Sequence, residues 1–202
     1  MLQFEEELWA RGFERIAGVD EAGRGCLFGD VVAAAVILPP GLRIEGVDDS
    51  KKLSPARREE LYEIILERAV AVGVGRVDSE TIDRINIRQA ARLAMRKAVE
   101  NLKVEPQVLL IDAERIEADV DQLSIIKGDA RSQSIAAASI VAKVTRDRLC
   151  REWDLLYPEY RIAVHKGYAT RLHRDLILLH GPSPMHRRSF LGGILAAQQE
   201  LF

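Results

Sequence analysis

The sequence predicts an α/β domain in which a mixed central sheet is flanked by helices and followed by a helical C-terminal part. Two observations predict this class. Apolar, β-branched runs of strand length come early in the chain, and helical spacing of apolar residues dominates later. No repeat or linker divides the 202 residues. We therefore expect one domain over 1–202, with its helical part from about 160 to 202.

The first half of the chain predicts strands and helices in turn. Runs 15–20 and 30–39, separated by a glycine-rich loop, predict two adjacent strands. Segment 54–69 predicts a helix, because Ser54 can cap it and apolar residues follow at helical spacing. Run 70–77 predicts a third strand.

The middle of the chain predicts one long helix and two buried strands. Segment 78–102 is amphipathic over its length, which favours a helix. The short apolar runs 107–113 and 122–130 indicate buried strands that end at Asp112 and near Asp129.

The last third predicts helices. Segment 131–153 is rich in alanine and suits a helix that packs closely on a sheet. Two further helices are expected near 166–180 and 186–201.

Composition excludes several classes of protein. No run approaches the roughly 18 apolar residues of a membrane helix, and the acidic N-terminus is unlike a secretory signal, so we expect a cytoplasmic protein without a membrane partner. Cys26 and Cys150 cannot form a disulfide framework and are expected to be packing residues. The net charge of -2 gives no general attraction for nucleic acid.

One local segment, 160–190, is basic and contains all four histidines. On charge alone it is either a nucleic-acid patch or a solvated helix face. Its charged residues are Arg161, Lys166, Arg171, Arg174, Arg187 and Arg188, with the single acid Asp175. His165 and His173 have no third ligand at zinc spacing and are expected to contact phosphate, to stack, or to lie on the surface.

Four acids stand at or just beyond the predicted strand ends: Asp20, Glu21, Asp112 and Asp129. Carboxylates from several strands can converge on one point, and magnesium or manganese would need such oxygen ligands there. Ordinary turn aspartates are the alternative. The adjacent "GRG" at 23–25 favours a site, since glycines allow close approach to a polyanion and arginine binds phosphate in a bidentate manner.

Five blocks of the sequence, in order, resemble bacterial ribonuclease HII over almost the whole chain. The blocks are "GVDEAGRG" (18–25), "DDSKKLS" (48–54), "GDARSQSIAAASIVAKVTRD" (128–147), "HKGYATRLH" (165–173) and "GPSPMHRRSF" (181–190). "DEAGRG" is closer to this branch than to ribonuclease HIII, whose stretch reads more like "DEVGTG".

The resemblance implies a single RNase H-like catalytic domain whose C-terminal part binds substrate. It implies Mg²⁺ or Mn²⁺ at Asp20, Glu21, Asp112 and Asp129, which would be the catalytic residues of a two-metal mechanism. The activity implied is hydrolysis of the RNA strand of RNA/DNA hybrids and incision 5′ to a single ribonucleotide in duplex DNA, leaving 3′-hydroxyl and 5′-phosphate ends.

The resemblance also implies substrate contacts. The backbone of Gly23, Arg24 and Gly25 would read the 2′-hydroxyl, which distinguishes RNA from DNA. Tyr168 would pack on the sugar of the following deoxynucleotide, and Lys51 would contact a phosphate. Without the resemblance, Tyr168 is an ordinary aromatic residue and Lys51 belongs to a solvated loop.

Two positions depart from the usual family pattern. Asp30 stands in "GRGCLFGDVV" where many members have "GRGPLAGPVV", and we expect it to be a strand-start residue rather than a group supporting the site. Ala169 replaces the glycine of "HKGYGT", which leaves the pose of the neighbouring Tyr168 ring open.

The C-terminal "QQELF" resembles the peptide by which bacterial replication proteins bind the sliding clamp, through Gln198, Leu201 and Phe202. A frayed helix end is the alternative. We expect a monomer. Two other functions remain open: a nuclease or resolvase of the same fold that is indifferent to the sugar, and a nucleic-acid-binding module without catalysis.

Overall fold

A single mixed β-sheet organises the computed structural model, which describes residues 1–199 and, of 197–199, the helical backbone alone. Its strands are β1 (Ile16–Ala22), β2 (Val31–Ile37), β3 (Ala71–Val77), β4 (Val108–Asp112) and β5 (Asp121–Ile125). Their order across the sheet is β3-β2-β1-β4-β5.

Strand direction determines what the sheet can bring together. β1 pairs antiparallel with β2, which confirms the predicted adjacency of the first two strands, and β2 pairs antiparallel with β3. β1 and β4 are parallel, with Val19 opposite Ile111, so the next residues along each strand, Asp20 and Asp112, lie side by side. β4 and β5 are also parallel.

Helices cover both faces of the sheet, as the predicted fold class requires. They are α1 (Gln3–Ala10), α2 (Pro55–Arg68), α3 (Ser79–Ile85), α4 (Ile87–Glu100), α5 (Gln133–Leu156), α6 (Ile162–His165), α7 (Arg171–His180) and α8 (Gly192–Gln199). α4 packs on one face through alanines such as Ala91 and Ala94, and α5 and α2 pack on the other. No helix in the described part of the chain has the length and apolar character needed to span a bilayer.

Four predicted elements differ from the structure. The helix expected near 186–201 begins only at Gly192, after a 3-10 turn over Arg188–Phe190. The helix expected over 78–102 is two helices, because Asn86 has a φ of 66° and its side chain caps α4 by accepting from the backbone amides of Arg88 and Gln89. β5 is an exposed edge strand that ends at Ile125, and Asp129 lies beyond it in a single 3-10 turn. The first residues of the helix expected over 166–180 form a turn instead, because Lys166 and Gly167 have positive φ angles.

The close contact between α5 and β1 depends on Gly18. A Cβ atom there would lie 2.0 Å from the backbone carbonyl carbon of Ser134 in α5, and a backbone atom cannot move aside as a side chain can. The alanine-rich face of α5 and this glycine therefore let the helix approach the strand that carries Asp20.

We expect Gly18→Ala to destabilise the protein by about 3 kcal/mol or more, since overpacking a backbone contact is at the costly end of core substitutions. For a chain of this size that is a fall of roughly 6–12 °C in melting temperature, measurable by calorimetry. Gly193→Ala is the control, because a Cβ there meets nothing within 4 Å. Equal melting temperatures for the two variants would contradict the packing described.

Candidate functional site

Three aspartates far apart in sequence form a cluster at the carboxyl ends of the parallel strands β1 and β4. Asp20 lies in β1, Asp112 ends β4, and Asp129 lies in the 3-10 turn after β5. One carboxylate oxygen from each lies within 4.8 Å of the others. Asp20 and Asp129 are buried and Asp112 is half-buried. The convergence expected from the sequence therefore holds for these three acids.

Local structure orients two of these side chains. The backbone amide of Gly128 donates to Asp112 Oδ1 at 2.7 Å, and a Cβ at Gly128 would lie 2.5 Å from Ile135 Cδ1. A glycine at this position thus allows the turn that carries Asp129 to close against β4 and α5. The backbone amide of Glu21 donates to Asp20 Oδ1 at 2.7 Å.

The fourth predicted acid, Glu21, lies beside the cluster rather than within it. Its Oε1 is 3.2 Å from Arg24 Nη1, while its Oε2 is buried and has no hydrogen-bond partner among residues 1–199. Glu21, Asp20 and Asp112 line the same cleft of about 280 Å³. Glu21 therefore borders the cluster of three aspartates through the cleft that it shares with Asp20 and Asp112.

The electrostatics of the cluster favour a bound cation. Burial, with the charges of Glu21 and Asp112 added, raises the pKa of Asp20 well above its usual value. Burial also raises the pKa of Glu21 and that of Asp112. Ionised carboxylates held this close are costly unless a positive charge neutralises them. An all-oxygen donor set with an unpaired buried oxygen fits a hard divalent cation.

The nearest lysine supplies part of that charge. Lys51 Nζ lies 3.3 Å from Asp129 Oδ2, but the Lys51 side chain is 76% exposed. An exposed ammonium on a flexible stem makes a weak ion pair with a buried acid and can move to a phosphate.

The "GRG" loop borders the cleft and is held from beneath by two buried arginines. Gly23 has a φ of 94°, and a Cβ there would lie 2.1 Å from Arg146 Nε. Arg187 Nη1 donates to the carbonyl oxygen of Arg24 at 2.9 Å. Arg146 donates to the carbonyl oxygens of Phe28 at 3.0 Å and of Lys166 at 2.8 Å, so it ties this loop to the loop that follows α6.

Sequence reasoning missed both buried arginines. Arg187 belongs to the basic segment, yet its side chain is fully buried, and Arg146 is 1% exposed within α5. Of the six bases in that segment, Arg161, Arg171, Arg174 and Arg188 are exposed. The patch is therefore partly structural. The only sequence signal was that both arginines fall within the blocks that carry the resemblance.

Glu114 is a further residue that the sequence did not single out. It is buried just beyond β4 and is surrounded by Arg92 at 2.9 Å, Arg88 at 3.4 Å and Arg24 at 3.6 Å. The Arg24 guanidinium therefore bridges Glu21 and Glu114. Two features of the sequence could have indicated it. Glu114 stands two residues after Asp112, and Arg88 and Arg92 are spaced i, i+4 on α4.

Tyr168 lies at the rim of the cleft. It forms an antiparallel bridge with Cys26, and the residue is 41% exposed, with Lys143 Nζ 5.7 Å from the ring centroid. The neighbouring Leu27 amide donates to the carbonyl oxygen of Gly167 at 2.8 Å. These contacts fix the backbone of Tyr168 despite Ala169, the departure that had left its pose open.

The remaining predicted residues have structural explanations. Asp30 immediately precedes β2 and pairs with Arg76 at 2.8 Å, which agrees with its assignment as a strand-start residue. Cys26 and Cys150 are buried free thiols, as expected. Of the clamp peptide, Leu201 and Phe202 and the side chain of Gln198 lie outside the described residues.

The expectation that His165 and His173 lie on the surface or meet phosphate is wrong. Both are buried, and their rings stack on each other with centroids 4.1 Å apart. His186 is buried beside them, with its Nε2 atom 3.2 Å from His173 Nε2. Burial lowers the pKa of His173 to about 4 and that of His186 to about 3.

These shifts predict how stability depends on pH. Because the folded pKa of His186 lies below its unfolded value of 6.5, its contribution is present above pH 6.5 and is lost as pH falls toward 3. The melting temperature of the wild type should therefore exceed that of His186→Asn most at pH 7, and the difference should shrink by pH 4. A difference that is constant over this range would contradict burial of a neutral imidazole.

Comparison with known proteins identifies the relatives of this chain. The sequence profile of the family described as Ribonuclease HII matches residues 17–192. The Ribonuclease HII of Alkaliphilus metalliredigens is 62% identical over 200 residues, covering 96% of this chain and 98% of that protein.

Two solved structures share the fold. The ribonuclease H2 of Pyrococcus horikoshii superimposes with a TM-score of 0.76 at 26% identity, over 92% of this chain and 99% of that one. The RNase HII of Archaeoglobus fulgidus, solved in complex with PCNA, gives a TM-score of 0.72 at 26% identity, over 89% of this chain and 96% of that one.

Proposed function

The chain belongs to the ribonuclease HII family, and we propose that Asp20, Asp112 and Asp129, with Glu21 beside them, are the acids at which its metal-dependent cleavage of nucleic acid takes place. It is an endoribonuclease of the RNase H type. The reaction is hydrolysis of the RNA strand of RNA/DNA hybrids and incision 5′ to single ribonucleotides in duplex DNA, giving 3′-hydroxyl and 5′-phosphate ends.

The observation that carries the assignment is the convergence of three carboxylates within 4.8 Å on one edge of the sheet. Divalent cations held there would neutralise the scissile phosphate and lower the pKa of a bound water. The all-oxygen donor set suits Mg²⁺ and also Mn²⁺, and we propose that either ion supports the reaction.

The proposed substrate-binding roles follow from where each residue lies around this cleft. Gly23, Arg24 and Gly25 line it, so their backbone can face a 2′-hydroxyl, and Tyr168 lines the same cleft at its rim, bridged to Cys26. Lys51 lies on the Asp129 side, where its exposed ammonium can meet a phosphate. The part of the chain from about 160 onward, which carries Tyr168, would bind the duplex beyond the ribonucleotide.

The test is cleavage of three matched duplexes: one with a single ribonucleotide, one RNA/DNA hybrid and one of DNA alone, each with Mg²⁺, Mn²⁺ or chelator. We expect cuts in the first two substrates only, 5′ to the ribonucleotide, and none with chelator. Equal cutting of the all-DNA duplex would instead indicate a sugar-indifferent nuclease. Salt-sensitive duplex binding without product under either metal would indicate a binding module.

A clamp contact is a separate proposal. The Archaeoglobus fulgidus relative was solved with PCNA, and the C-terminal residues Gln198, Leu201 and Phe202 of this chain match a clamp-binding peptide. Deleting 198–202 should abolish binding to a bacterial sliding clamp in surface plasmon resonance and leave turnover on short duplexes unchanged. Retained clamp binding would contradict the proposal. We further propose that the chain acts as a monomer, which sedimentation equilibrium would test.

A further inference from the structure

Three buried histidines lie beneath the loop that carries Tyr168. His186 Nε2 is 3.2 Å from His173 Nε2, and His173 Nδ1 is 3.0 Å from the carbonyl oxygen of Tyr168. His165 stacks on His173 with an interplanar angle of 20°. His173 is fully buried and His186 is 1% exposed, so the protein supplies their hydrogen-bond partners.

The backbone fixes which nitrogen of each ring carries the proton. The amide of Ser183 donates to His186 Nδ1 at 3.0 Å, so Nδ1 is the acceptor and the proton of His186 is on Nε2. That proton is donated to His173 Nε2. The proton of His173 is then on Nδ1, from which it is donated to the carbonyl oxygen of Tyr168. All the hydrogen bonds from Ser183 to Tyr168 therefore run in one direction.

The third ring is fixed in the same way. The amide of Gly167 donates to His165 Nδ1 at 3.2 Å, which leaves Nε2 to donate to the carbonyl oxygen of Tyr160 at 2.8 Å. His165 in turn accepts the Tyr168 amide through its own carbonyl oxygen at 3.0 Å. The backbone of Tyr168 is thus held at both its N–H and its C=O by this cluster.

The histidine cluster also contacts the loop between β1 and β2, which contains the "GRG" segment. Phe28 and His186 form an antiparallel bridge, and their rings lie edge to face with centroids 4.8 Å apart. Burial lowers the pKa of each of the three histidines, so the rings stay neutral near pH 7. A second proton on His186, at Nδ1, would face the Ser183 amide N–H. A second proton on His173, at Nε2, would face the Nε2–H group of His186.

We propose that His186 and His173 are positioning residues for sugar recognition, which act by a directed hydrogen-bond relay from Ser183 to the carbonyl oxygen of Tyr168. This inference rests on the proposed role of Tyr168 at the nucleotide after the ribonucleotide. Tyr168 is exposed at the cleft rim, so the orientation of its ring depends on the position of its backbone. The relay holds the carbonyl group of that backbone together with the Thr170 amide, which donates to the same oxygen at 2.8 Å, while the bridge to Cys26 joins the backbone to the "GRG" loop.

Two substitutions of His186 distinguish loss of the hydrogen bond to His173 from loss of the hydrogen bond to Ser183. Asparagine can accept from Ser183 but does not reach His173, whereas glutamine places an amide N–H near the position of Nε2. We expect His186→Asn to lower kcat/KM on the single-ribonucleotide duplex about 10-fold, mostly through KM, as a buried acceptor loses its donor. His186→Gln should recover most of this loss. Glu67→Gln, at an exposed residue of α2 outside the part proposed to bind the duplex, is the control and should match the wild type.

A double-mutant cycle tests whether the effect passes through Tyr168. In a Tyr168→Ala background, His186→Asn should change kcat/KM less than 2-fold, because the positioned ring is gone. The same 10-fold loss in both backgrounds would overturn the relay and indicate a general structural role.

Nitrogen-15 spectra of the imidazoles at pH 7 test the relay without any cleavage. We expect His186 as the neutral Nε2–H tautomer and His173 as the neutral Nδ1–H tautomer. The opposite tautomer at either residue would overturn the relay even in an enzyme that cuts ribonucleotides. Conversely, the expected tautomers in a chain that does not cut would leave the relay intact and overturn the proposed function instead.

Discussion

Asp20→Asn is expected to reduce cleavage of the single-ribonucleotide duplex about 1000-fold or more, because a bound cation supplies several kcal/mol of charge stabilisation in phosphodiester hydrolysis. Asparagine keeps the shape of the side chain and an oxygen for the Glu21 amide, but it removes the charge at the centre of the cluster. Single-turnover kinetics at saturating enzyme would measure the chemical step.

The same substitution should stabilise the metal-free protein. Burial and neighbouring acids raise the pKa of Asp20, so its ionised form weakens the fold at neutral pH, and a neutral side chain relieves that cost. We expect a rise in melting temperature in chelator, measured by calorimetry. The control is Asp121→Asn, at an exposed residue where β5 begins. An active Asp20→Asn enzyme would contradict the assignment of the site.

Gly23→Ala is expected to lower kcat/KM on the single-ribonucleotide duplex about 100-fold, since displacing a recognition loop by about 1 Å has effects of that size. The alanine would adopt a left-handed φ of 94° and place its Cβ 2.1 Å from Arg146 Nε. Either the Arg146 side chain or the "GRG" loop above it would then have to move.

Gly12→Ala is the matched control outside the site. Gly12 also has a left-handed φ, 87°, but a Cβ there meets nothing within 4 Å. We expect its kcat/KM to stay within about 3-fold of the wild type, since no atom needs to move. Equal losses for the two glycine variants would mean that the buried arginines do not hold this loop.

The parts of the fold predicted correctly from sequence are those that local patterns determine. β-branched runs gave β1 to β3, and Ser54 caps α2 through the amide of Arg57, as its position predicted. The parallel alignment of β1 and β4 brings Asp20 beside Asp112, which strand-end positions had anticipated. Asp129 reaches the cluster by a different route, through a turn, which no apolar periodicity encodes.

The rest could not be predicted because it depends on tertiary burial. Basic residues and histidines usually face solvent or a ligand, so the sequence does not predict that Arg187 and His173 are fully buried with backbone partners. The break at Asn86 likewise depends on one backbone angle within a pattern that is helical throughout. Each error lies where a polar side chain satisfies backbone groups, inside the protein for Arg187 and His173 and at an exposed helix start for Asn86.

The central claim is that carboxylates from β1, β4 and the turn after β5 together hold divalent cations. Anomalous diffraction at the manganese edge, from crystals of the protein grown with Mn²⁺, tests this most directly. We predict a peak within bonding distance of Asp20 and Asp112, with Asp129 or Glu21 completing the site, and its loss in Asp20→Asn. An anomalous map with no peak among these acids, from protein that cleaves the ribonucleotide duplex with Mn²⁺, would contradict the account.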